Sequence, residues 1–183
     1  MHPWHDVEVG DTPERSFQCI IEIPQGSKNK YELDKHTGLL RLDRVLYSAV
    51  HYPANYGFLP RTYCEDGDPL DVLVFSQESV VPLCIMQARP IGVIAMRGEK
   101  GRDDKIVAVA IDDPEVNHYE HIGQFPGHRL RELQRFLLDY KALEGKAVDV
   151  EQLRGHVEAR QVIQDALKLY REKILPTLPP RAL

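Results

Sequence analysis

The sequence is poor in three features that would each define a class of protein. Its three cysteines, Cys19, Cys64 and Cys84, are an odd number at wide spacing, so neither a disulfide framework nor a paired-cysteine zinc site is expected. No apolar run approaches the roughly 18–20 residues that span a bilayer, and residues 1–10 hold no apolar signal segment. We therefore expect no membrane partner and a cytoplasmic location. Positive charge is also scarce: 23 basic against 28 acidic residues give a net charge of −5 without a Lys/Arg tract, which argues against a nucleic-acid partner.

What the chain does have is enough apolar material for one folded domain. It is 183 residues long, with 43% hydrophobic and 28% charged residues, the mixture of an ordinary globular protein. Neither an internal repeat nor a linker divides it. We therefore expect a single domain over residues 1–183, with a proline-rich tail at residues 176–183.

The pattern of hydrophobic residues changes along the chain from strands to helices. Short segments rich in β-branched and aromatic residues predict strands in the first two-thirds. They lie at residues 17–24, 31–33, 39–42, 45–50, 70–75, 91–96 and 106–111. Their close spacing favours an antiparallel barrel or sandwich. Apolar residues from Leu130 to Leu143 then recur at helical spacing and predict a helix that ends at Gly145. A second helix is predicted over residues 157–175, where Pro176 stops it.

The most informative local feature is a cluster of three aspartates within six residues. In an extended chain Asp66 and Asp68 project to one face and Asp71 to the other, but a bend at Pro69 can bring the three carboxylates together. Crowded carboxylates repel one another unless a cation neutralises them. Hard oxygen ligands favour Mg²⁺ or Mn²⁺ over Zn²⁺. On this segment alone a solvated acidic turn stays open as the alternative, because Asp, Gly and Pro are also turn formers.

This segment and seven others resemble the motifs of the soluble inorganic pyrophosphatases, in the cation-dependent, single-domain family and of the bacterial type. The family signature is matched by Asp66-Gly67-Asp68-Pro69-Leu70-Asp71-Val72. The supporting segments, in chain order, are Ile21-Glu22-Ile23-Pro24, Lys30-Tyr31-Glu32, Asp43-Arg44, Tyr52-Pro53-Ala54-Asn55-Tyr56-Gly57, Arg89-Pro90-Ile91-Gly92-Val93, Asp103-Asp104-Lys105 and Tyr140-Lys141. The resemblance covers residues 16–150. It implies a mainly β fold with helices: a closed five-stranded, OB-like β-barrel flanked by helices in the C-terminal third.

The resemblance also implies an activity, the hydrolysis of inorganic pyrophosphate to two orthophosphates by Mg²⁺-activated water. Several Mg²⁺ ions per active site are implied, with Mn²⁺ as a substitute. The metal ligands would be Asp66, Asp71, Asp103 and Glu32. The catalytic residues would be Asp68, as general base, with Tyr56, Lys30 and Arg44. The substrate-binding residues would be Lys30, Arg44, Tyr56, Tyr140, Lys141 and Lys105. Further residues would hold these side chains in place without binding metal or substrate themselves: Glu22, Asn55 and Glu99.

Gly98 departs from the family pattern. It stands five residues before Asp103, where the family usually has a metal-binding aspartate. We therefore expect hydrolysis with a higher Mg²⁺ requirement, unless Glu99 or Asp104 takes over that position. The alternatives are a non-catalytic metal- or phosphate-binding barrel with weakened activity and a hydrolase of nucleotides or phosphomonoesters. The resemblance also implies a homo-oligomer, a hexamer rather than a dimer.

Overall fold

The computed structural model describes residues 1–98, 101–146 and 149–179. Its strands are β1 (Phe17–Ile23), β2 (Asn29–Leu33), β3 (Leu40–Val45), β4 (Asn55–Phe58), β5 (Asp71–Phe75), β6 (Cys84–Gly98), β7 (Gly101–Arg102), β8 (Lys105–Ala110) and β9 (Asp149–Gly155). Its helices are α1 (Pro3–Asp6), α2 (Gly127–Asp139) and α3 (His156–Lys173). Short 3-10 helices lie at Ile122–Gln124, Ala142–Glu144 and Leu175–Thr177. Glu99 lies outside the described residues, as do residues 180–183 of the predicted tail.

Five strands are hydrogen-bonded into a closed ring. Their order is β1–β4–β5–β8–β6, and β6 pairs again with β1. β7 and β9 pair with β6 outside this ring, while β2 and β3 form a separate two-stranded sheet. The prediction of a mainly β protein with helices in its last third is confirmed.

One pairing in the ring differs from the predicted antiparallel arrangement. β5 and β8 are parallel, with Asp71 opposite Lys105, whereas the other four ring pairings are antiparallel. The segment between these two strands contains the long strand β6, which supplies the chain length that a parallel connection requires. The parallel pairing matters for the site because it places Asp71 beside Lys105 at one end of the ring.

Several predicted boundaries are wrong for physical reasons. The strand predicted at residues 45–50 is absent, since β3 ends at Val45 and residues 47–49 bend. Residues 55–58 form β4, although their Asn and Gly are typical of turns. A β-carbon at Gly57 would overlap the carbonyl oxygen of Ile20, so the close approach of β4 to β1 requires this glycine. β9 has alternating half-exposed residues and no apolar run, and it was not predicted.

Two hydrophobic clusters hold the helices against the strands. In the main cluster, α2 contributes Leu133, Phe136 and Leu137, and α3 contributes Ile163 and Leu167. Burial of such side chains supplies most of the stabilising free energy. The smaller cluster joins α1 to the ring and to α3 through Trp4, Ile20, Leu33, Phe58 and Tyr170. Among the helices of the described residues, none combines the length and the apolar character needed to cross a bilayer.

Candidate active site

A cavity of about 450 Å³ opens between the β2–β3 hairpin, the loop before β5, the β7–β8 loop and the end of α2. The predicted site residues that line it are Glu22, Lys30, Glu32, Arg44, Tyr56, Asp66, Asp68, Asp71, Asp103, Lys105, Tyr140 and Lys141. Sequence reasoning did not single out Trp4, Lys35 and Lys146, which also line it, and it gave no role to Asp43 of the Asp43-Arg44 segment, which lines it as well. The cavity therefore combines carboxylates with ammonium, guanidinium and phenol groups from distant parts of the chain.

The acidic loop, residues 62–70, presents two of the carboxylates from a tight turn. Gly67 has a φ of 89°, a left-handed conformation that glycine adopts without steric cost. The amide of Asp68 donates to Asp66 Oδ1 at 3.1 Å, and the amide of Cys64 donates to the Asp68 carbonyl at 2.8 Å. These bonds fix the backbone of the turn and leave both carboxylates at the cavity.

Thr62 closes the base of the acidic loop. Its hydroxyl donates to the Leu59 carbonyl at 2.6 Å and accepts from the Leu70 amide at 2.8 Å. Because Thr62 is fully buried, these hydrogen bonds join the two ends of the loop away from water. Sequence reasoning missed Thr62, since nothing in its neighbourhood marks a hydroxyl as a loop closure.

Lys105 is a buried cation between two carboxylates. Its Nζ donates to Asp71 Oδ2 at 2.6 Å, to Asp103 Oδ1 at 2.8 Å and to the Tyr56 hydroxyl at 3.2 Å. Only 3% of the Lys105 side chain is exposed. Burial opposes the charge, but Asp71, Tyr56 and Asp103 outweigh it and hold the pKa of Lys105 well above its ordinary value. Lys105 therefore stays protonated and neutralises part of the charge of the carboxylates.

The carboxylates suit a divalent cation by their chemistry, although they do not form a closed cage. In the described part of the chain, no three His, Cys, Asp or Glu side chains are grouped so that they could hold a metal ion as they stand. Burial, followed by the charges of Asp68, Asp71 and Asp103, raises the pKa of Asp66 to about 6. Burial and the neighbouring carboxylates both disfavour the charged form of Asp66, and a bound hard cation would favour it. The donor set therefore fits Mg²⁺ or Mn²⁺.

The opposite wall of the cavity carries cations on the β2–β3 hairpin. Lys30 and Arg44 are paired across the two strands. Lys30 Nζ donates to Glu32 and, at 3.1 Å, to Asp43. Arg44 Nε donates to Glu144 Oε1 at 2.6 Å, and its Nη1 pairs with Asp43. Burial opposes the charge of Arg44, but the hydrogen bond and charge of Glu144 raise its pKa.

The end of α2 completes this wall. Tyr140 is 6% exposed, and its ring stacks on that of Phe136 with the centroids 5.3 Å apart. The Nζ of Lys141 lies 5.1 Å from the centre of the Tyr140 ring, within the range of a cation–π contact. The helix stripe that predicted α2 therefore also fixes a phenol and an ammonium group at the cavity.

Comparisons with known proteins agree with this geometry. The sequence model of the family described as inorganic pyrophosphatase matches residues 19–171. The chain belongs to the inorganic pyrophosphatase family. It is 54% identical to soluble inorganic pyrophosphatase 2 of Chlamydomonas reinhardtii over 96% of this chain and 91% of that protein. It is 52% identical to soluble inorganic pyrophosphatase 1 of Arabidopsis thaliana over 97% of this chain and 84% of that protein. The solved inorganic pyrophosphatase of Thermus thermophilus superposes with a TM-score of 0.88 at 38% identity, covering 92% of this chain and 99% of that chain.

Glu22 and Asn55, both predicted to support the site of this pyrophosphatase family member, differ in whether they line the cavity. Glu22 lines the cavity and is 7% exposed; its carboxylate accepts from the Leu33 amide at 2.6 Å. Burial, followed by a smaller effect of Asp71, outweighs that hydrogen bond and raises the pKa of Glu22 to about 8. Asn55 is fully buried but does not line the cavity. Its side chain instead accepts from the amides of Gln25 and Val80 at 3.0 and 3.2 Å, which ties two loops to β4.

The position that departs from the pyrophosphatase pattern lies at the end of β6. The backbone of Gly98 pairs with Gly101 of β7, just before Asp103. Asp104 does not line the cavity, and its Oδ2 accepts from Arg102 Nε at 2.7 Å. The Asp104 carboxylate is therefore paired with Arg102 and is not among the groups that line the cavity. The other candidate replacement, Glu99, lies outside the described residues.

Proposed function

We propose that this chain hydrolyses inorganic pyrophosphate to two orthophosphates within the cavity described above. The observation that carries the proposal is the meeting of Asp66, Asp68, Asp71 and Asp103 with a cationic wall in one cavity of a pyrophosphatase family member. A phosphoryl group repels nucleophiles through its negative charge, so such a site must supply cations and a proton acceptor. The alternative of a non-catalytic barrel is not supported, because similarity to named pyrophosphatases extends over nearly the whole chain.

Divalent cations would be held by Asp66, Asp71, Asp103 and Glu32. When bound, Mg²⁺ supplies positive charge to the phosphate oxygens and lowers the pKa of a nearby water. Mg²⁺, with Mn²⁺ as a substitute, is supported by the all-carboxylate donor set. The absence of a fifth carboxylate at Gly98 supports a higher Mg²⁺ requirement.

The proposal assigns the role of general base to Asp68. Its carboxylate lines the cavity and its side chain is 40% exposed, so the carboxylate can reach an attacking water. Accepting that proton would let the water oxygen attack one phosphorus atom while the second phosphate leaves.

The cationic wall would hold the phosphate oxygens. Arg44 presents a planar fork, and Glu144 fixes its Nε so that the orientation of that fork is set before substrate arrives. Lys30 and Lys141 act as point charges. Burial raises the pKa of Tyr56 well above its usual value, so its phenol keeps its proton at neutral pH and can donate a hydrogen bond to substrate.

The proposal also includes the type of barrel, the domain bounds, the oligomeric state and the cellular location. The closed five-strand ring supports its interpretation as an OB-like barrel. The match of the family over residues 19–171 supports one domain over residues 1–183. A homo-oligomer, a hexamer rather than a dimer, and a cytoplasmic location are carried forward from the resemblance as parts of the same proposal.

A substrate panel tests the activity. The purified chain with Mg²⁺ is incubated with pyrophosphate, with a nucleoside triphosphate and with a phosphomonoester, and released phosphate is measured. We expect two orthophosphates per pyrophosphate and little release from the other two substrates. Preference for a nucleotide or a phosphomonoester would identify the chain as a different phosphohydrolase.

A further inference from the structure

The N-terminal segment of the chain, residues 1–9, forms part of the cavity wall. Trp4 lines the cavity and is 4% exposed. Its indole Nε1 donates to the Thr62 carbonyl at 2.8 Å, and its own carbonyl accepts from the Arg61 amide at 2.9 Å. Trp4 is thereby fixed to the residue that closes the base of the acidic loop.

The same segment holds the turn of the β2–β3 hairpin, which carries Lys35. The Nε2 of His2 donates to the Lys35 carbonyl at 3.0 Å. The ammonium group of Lys35 lies 6.0 Å from the centre of the Trp4 ring, at the limit of a cation–π contact. The N-terminal segment therefore restrains both the backbone and the side chain of Lys35.

Lys35 reaches from this position to the acidic loop. Its Nζ donates to the Gly67 carbonyl at 2.8 Å and pairs with the carboxylate of Asp68. The Asp68 side chain is 40% exposed, so a charged partner restrains a rotamer that would otherwise be partly free. Asp68 also follows a glycine, the residue with the greatest backbone freedom.

We infer that Lys35, held by Trp4 and His2, is a positioning residue that orients the carboxylate of Asp68 for proton transfer. The inference rests on the proposed function and adds to it a residue outside the predicted site. A general base works only when its oxygen lies within hydrogen-bond reach of the proton that it accepts. Loss of Lys35 should therefore lower kcat and leave the affinity for pyrophosphate, which is bound by other cations, largely unchanged.

The test is a double-mutant cycle with matched controls. The variants are Lys35→Met, Lys35→Arg, Asp68→Asn and the double variant Lys35→Met/Asp68→Asn, compared with the wild type under saturating Mg²⁺. Lys168→Met is the control, because Lys168 also pairs with a carboxylate but lies on the exposed face of α3. We expect Lys35→Met to lower kcat about fivefold with KM unchanged within twofold, since exposed ion pairs have effects of this size. Lys35→Arg should restore most of the loss, and Lys168→Met should have no effect.

The cycle separates an effect through Asp68 from any other effect. In the Asp68→Asn background, the Lys35→Met change should lower the residual rate no further, because the group that Lys35 orients is gone. An unchanged kcat in Lys35→Met, a rise in KM alone, or a fivefold loss that persists in the Asp68→Asn background would each overturn the inference.

Tryptophan fluorescence tests the position of Lys35 independently of the proposed function. Trp4 is the only tryptophan of the chain, so the protein's tryptophan emission reports on its ring alone. The emission maximum should shift in Lys35→Met and not in Lys168→Met. If the wild type releases no phosphate from pyrophosphate, the proposed function fails by itself; an unchanged emission maximum in Lys35→Met then overturns the placement of Lys35 as well.

Discussion

The charged side chains of the cavity are held by partners of opposite charge. Lys105 lies between Asp71 and Asp103, and Lys30 lies between Glu32 and Asp43. Such pairs contribute little net stability: desolvation offsets the attraction of the largely buried Lys105 pairs, and solvent screens the pair of Lys30 with the 57% exposed Glu32. Their effect is to fix the positions of charged groups before substrate binds, which is the main requirement of electrostatic catalysis.

Exchange of one atom in the general base, Asp68, has the largest expected effect on the hydrolysis rate. Asp68→Asn replaces an acceptor oxygen with an amide nitrogen of similar size, so the fold should be retained. The rate should fall by roughly 10²–10⁴, the contribution of a positioned general base. Steady-state hydrolysis of pyrophosphate measures the loss, and unfolding curves check the fold. An Asn variant with the full rate would remove Asp68 from this role.

A substitution at Gly98 should instead strengthen the binding of Mg²⁺. Gly98→Asp adds a carboxylate next to the loop that carries Asp103. An additional oxygen ligand should lower the Mg²⁺ concentration at which hydrolysis is half-maximal, by roughly tenfold if one charge-assisted contact of about 1.5 kcal/mol is gained. The magnesium dependence of the rate is compared with that of the wild type. If the two curves coincide, Gly98 does not explain a high metal requirement.

Glu22 should make the stability of the metal-free protein depend on pH. Its pKa is raised from 4.5 to about 8 in the folded chain, so the folded state favours the protonated carboxyl. The stabilising effect is fully present below pH 4.5 and is lost as the pH rises through 8, on the order of 3–5 kcal/mol. Glu22→Gln keeps the acceptor for the Leu33 amide and removes the titration.

Denaturant unfolding with chelator at several pH values measures this difference. Between pH 5 and pH 8.5 the free energy of unfolding of the wild type should fall more steeply than that of Glu22→Gln. Equal pH dependence of the two proteins would show that Glu22 ionises in the folded state as it does in the unfolded chain.

At the scale of elements, the short 3-10 helix after α2 connects the helical third of the chain to the cavity. Glu144 is the last residue of this helix, and 8% of its side chain is exposed. It bonds to Arg44, which lies on β3 a hundred positions earlier. The segment that carries Tyr140 and Lys141 therefore also orients the guanidinium group of Arg44 in the same wall of the cavity.

Removal of this connection should weaken substrate binding more than the chemical step. Glu144→Ala leaves Arg44 without its buried partner, and kcat/KM for pyrophosphate should fall about tenfold, mainly through KM, since a hydrogen bond to a charged group contributes about 1.5–3 kcal/mol. Glu172→Ala is the control, because Glu172 forms an exposed pair on α3 at 3.9 Å. If both variants have the wild-type KM, Glu144 does not position Arg44.

The elements were predictable from sequence where one local signal dominated. The β-branched runs predicted β1, β5 and β8 within one or two residues, and the apolar stripe predicted α2. β4 was missed because Pro, Asn and Gly give a turn signal that tertiary pairing overrides. β9 was missed because it pairs only at the margin of the ring and buries few of its side chains. The parallel pairing of β5 with β8 depends on the path of β6, which no local pattern encodes.

The residues that line the site were predictable because they lie in motifs, whereas their supporting contacts were not. The acidic loop, the β2–β3 hairpin and the end of α2 each carry a segment that resembles the family. Thr62, Glu144 and Lys35 carry no motif, and their partners are defined only when distant strands and helices meet. A single sequence contains no local signal for such pairs.

At the scale of the whole molecule, the arrangement of charges within the cavity matters more for the binding of an anion than the net charge of the chain. A chain with a net charge of −5 repels an anion at long range, but screening limits that effect to about 8–10 Å at physiological salt. Within the cavity the two signs of charge are interleaved. Lys105 lies between Asp71 and Asp103, and Glu32 and Asp43 lie beside Lys30 on the β2–β3 hairpin. Divalent cations would bind the carboxylates, and phosphate oxygens would bind the cations of the hairpin and of the segment after α2.

The decisive measurement is the rate of phosphate release from pyrophosphate, titrated with Mg²⁺ from zero to saturation. We expect no release without a divalent cation, a saturable rise as Mg²⁺ is added, and two orthophosphates for each pyrophosphate consumed. Release that is independent of Mg²⁺, or no release at any Mg²⁺ concentration, would contradict the proposed metal-dependent hydrolysis.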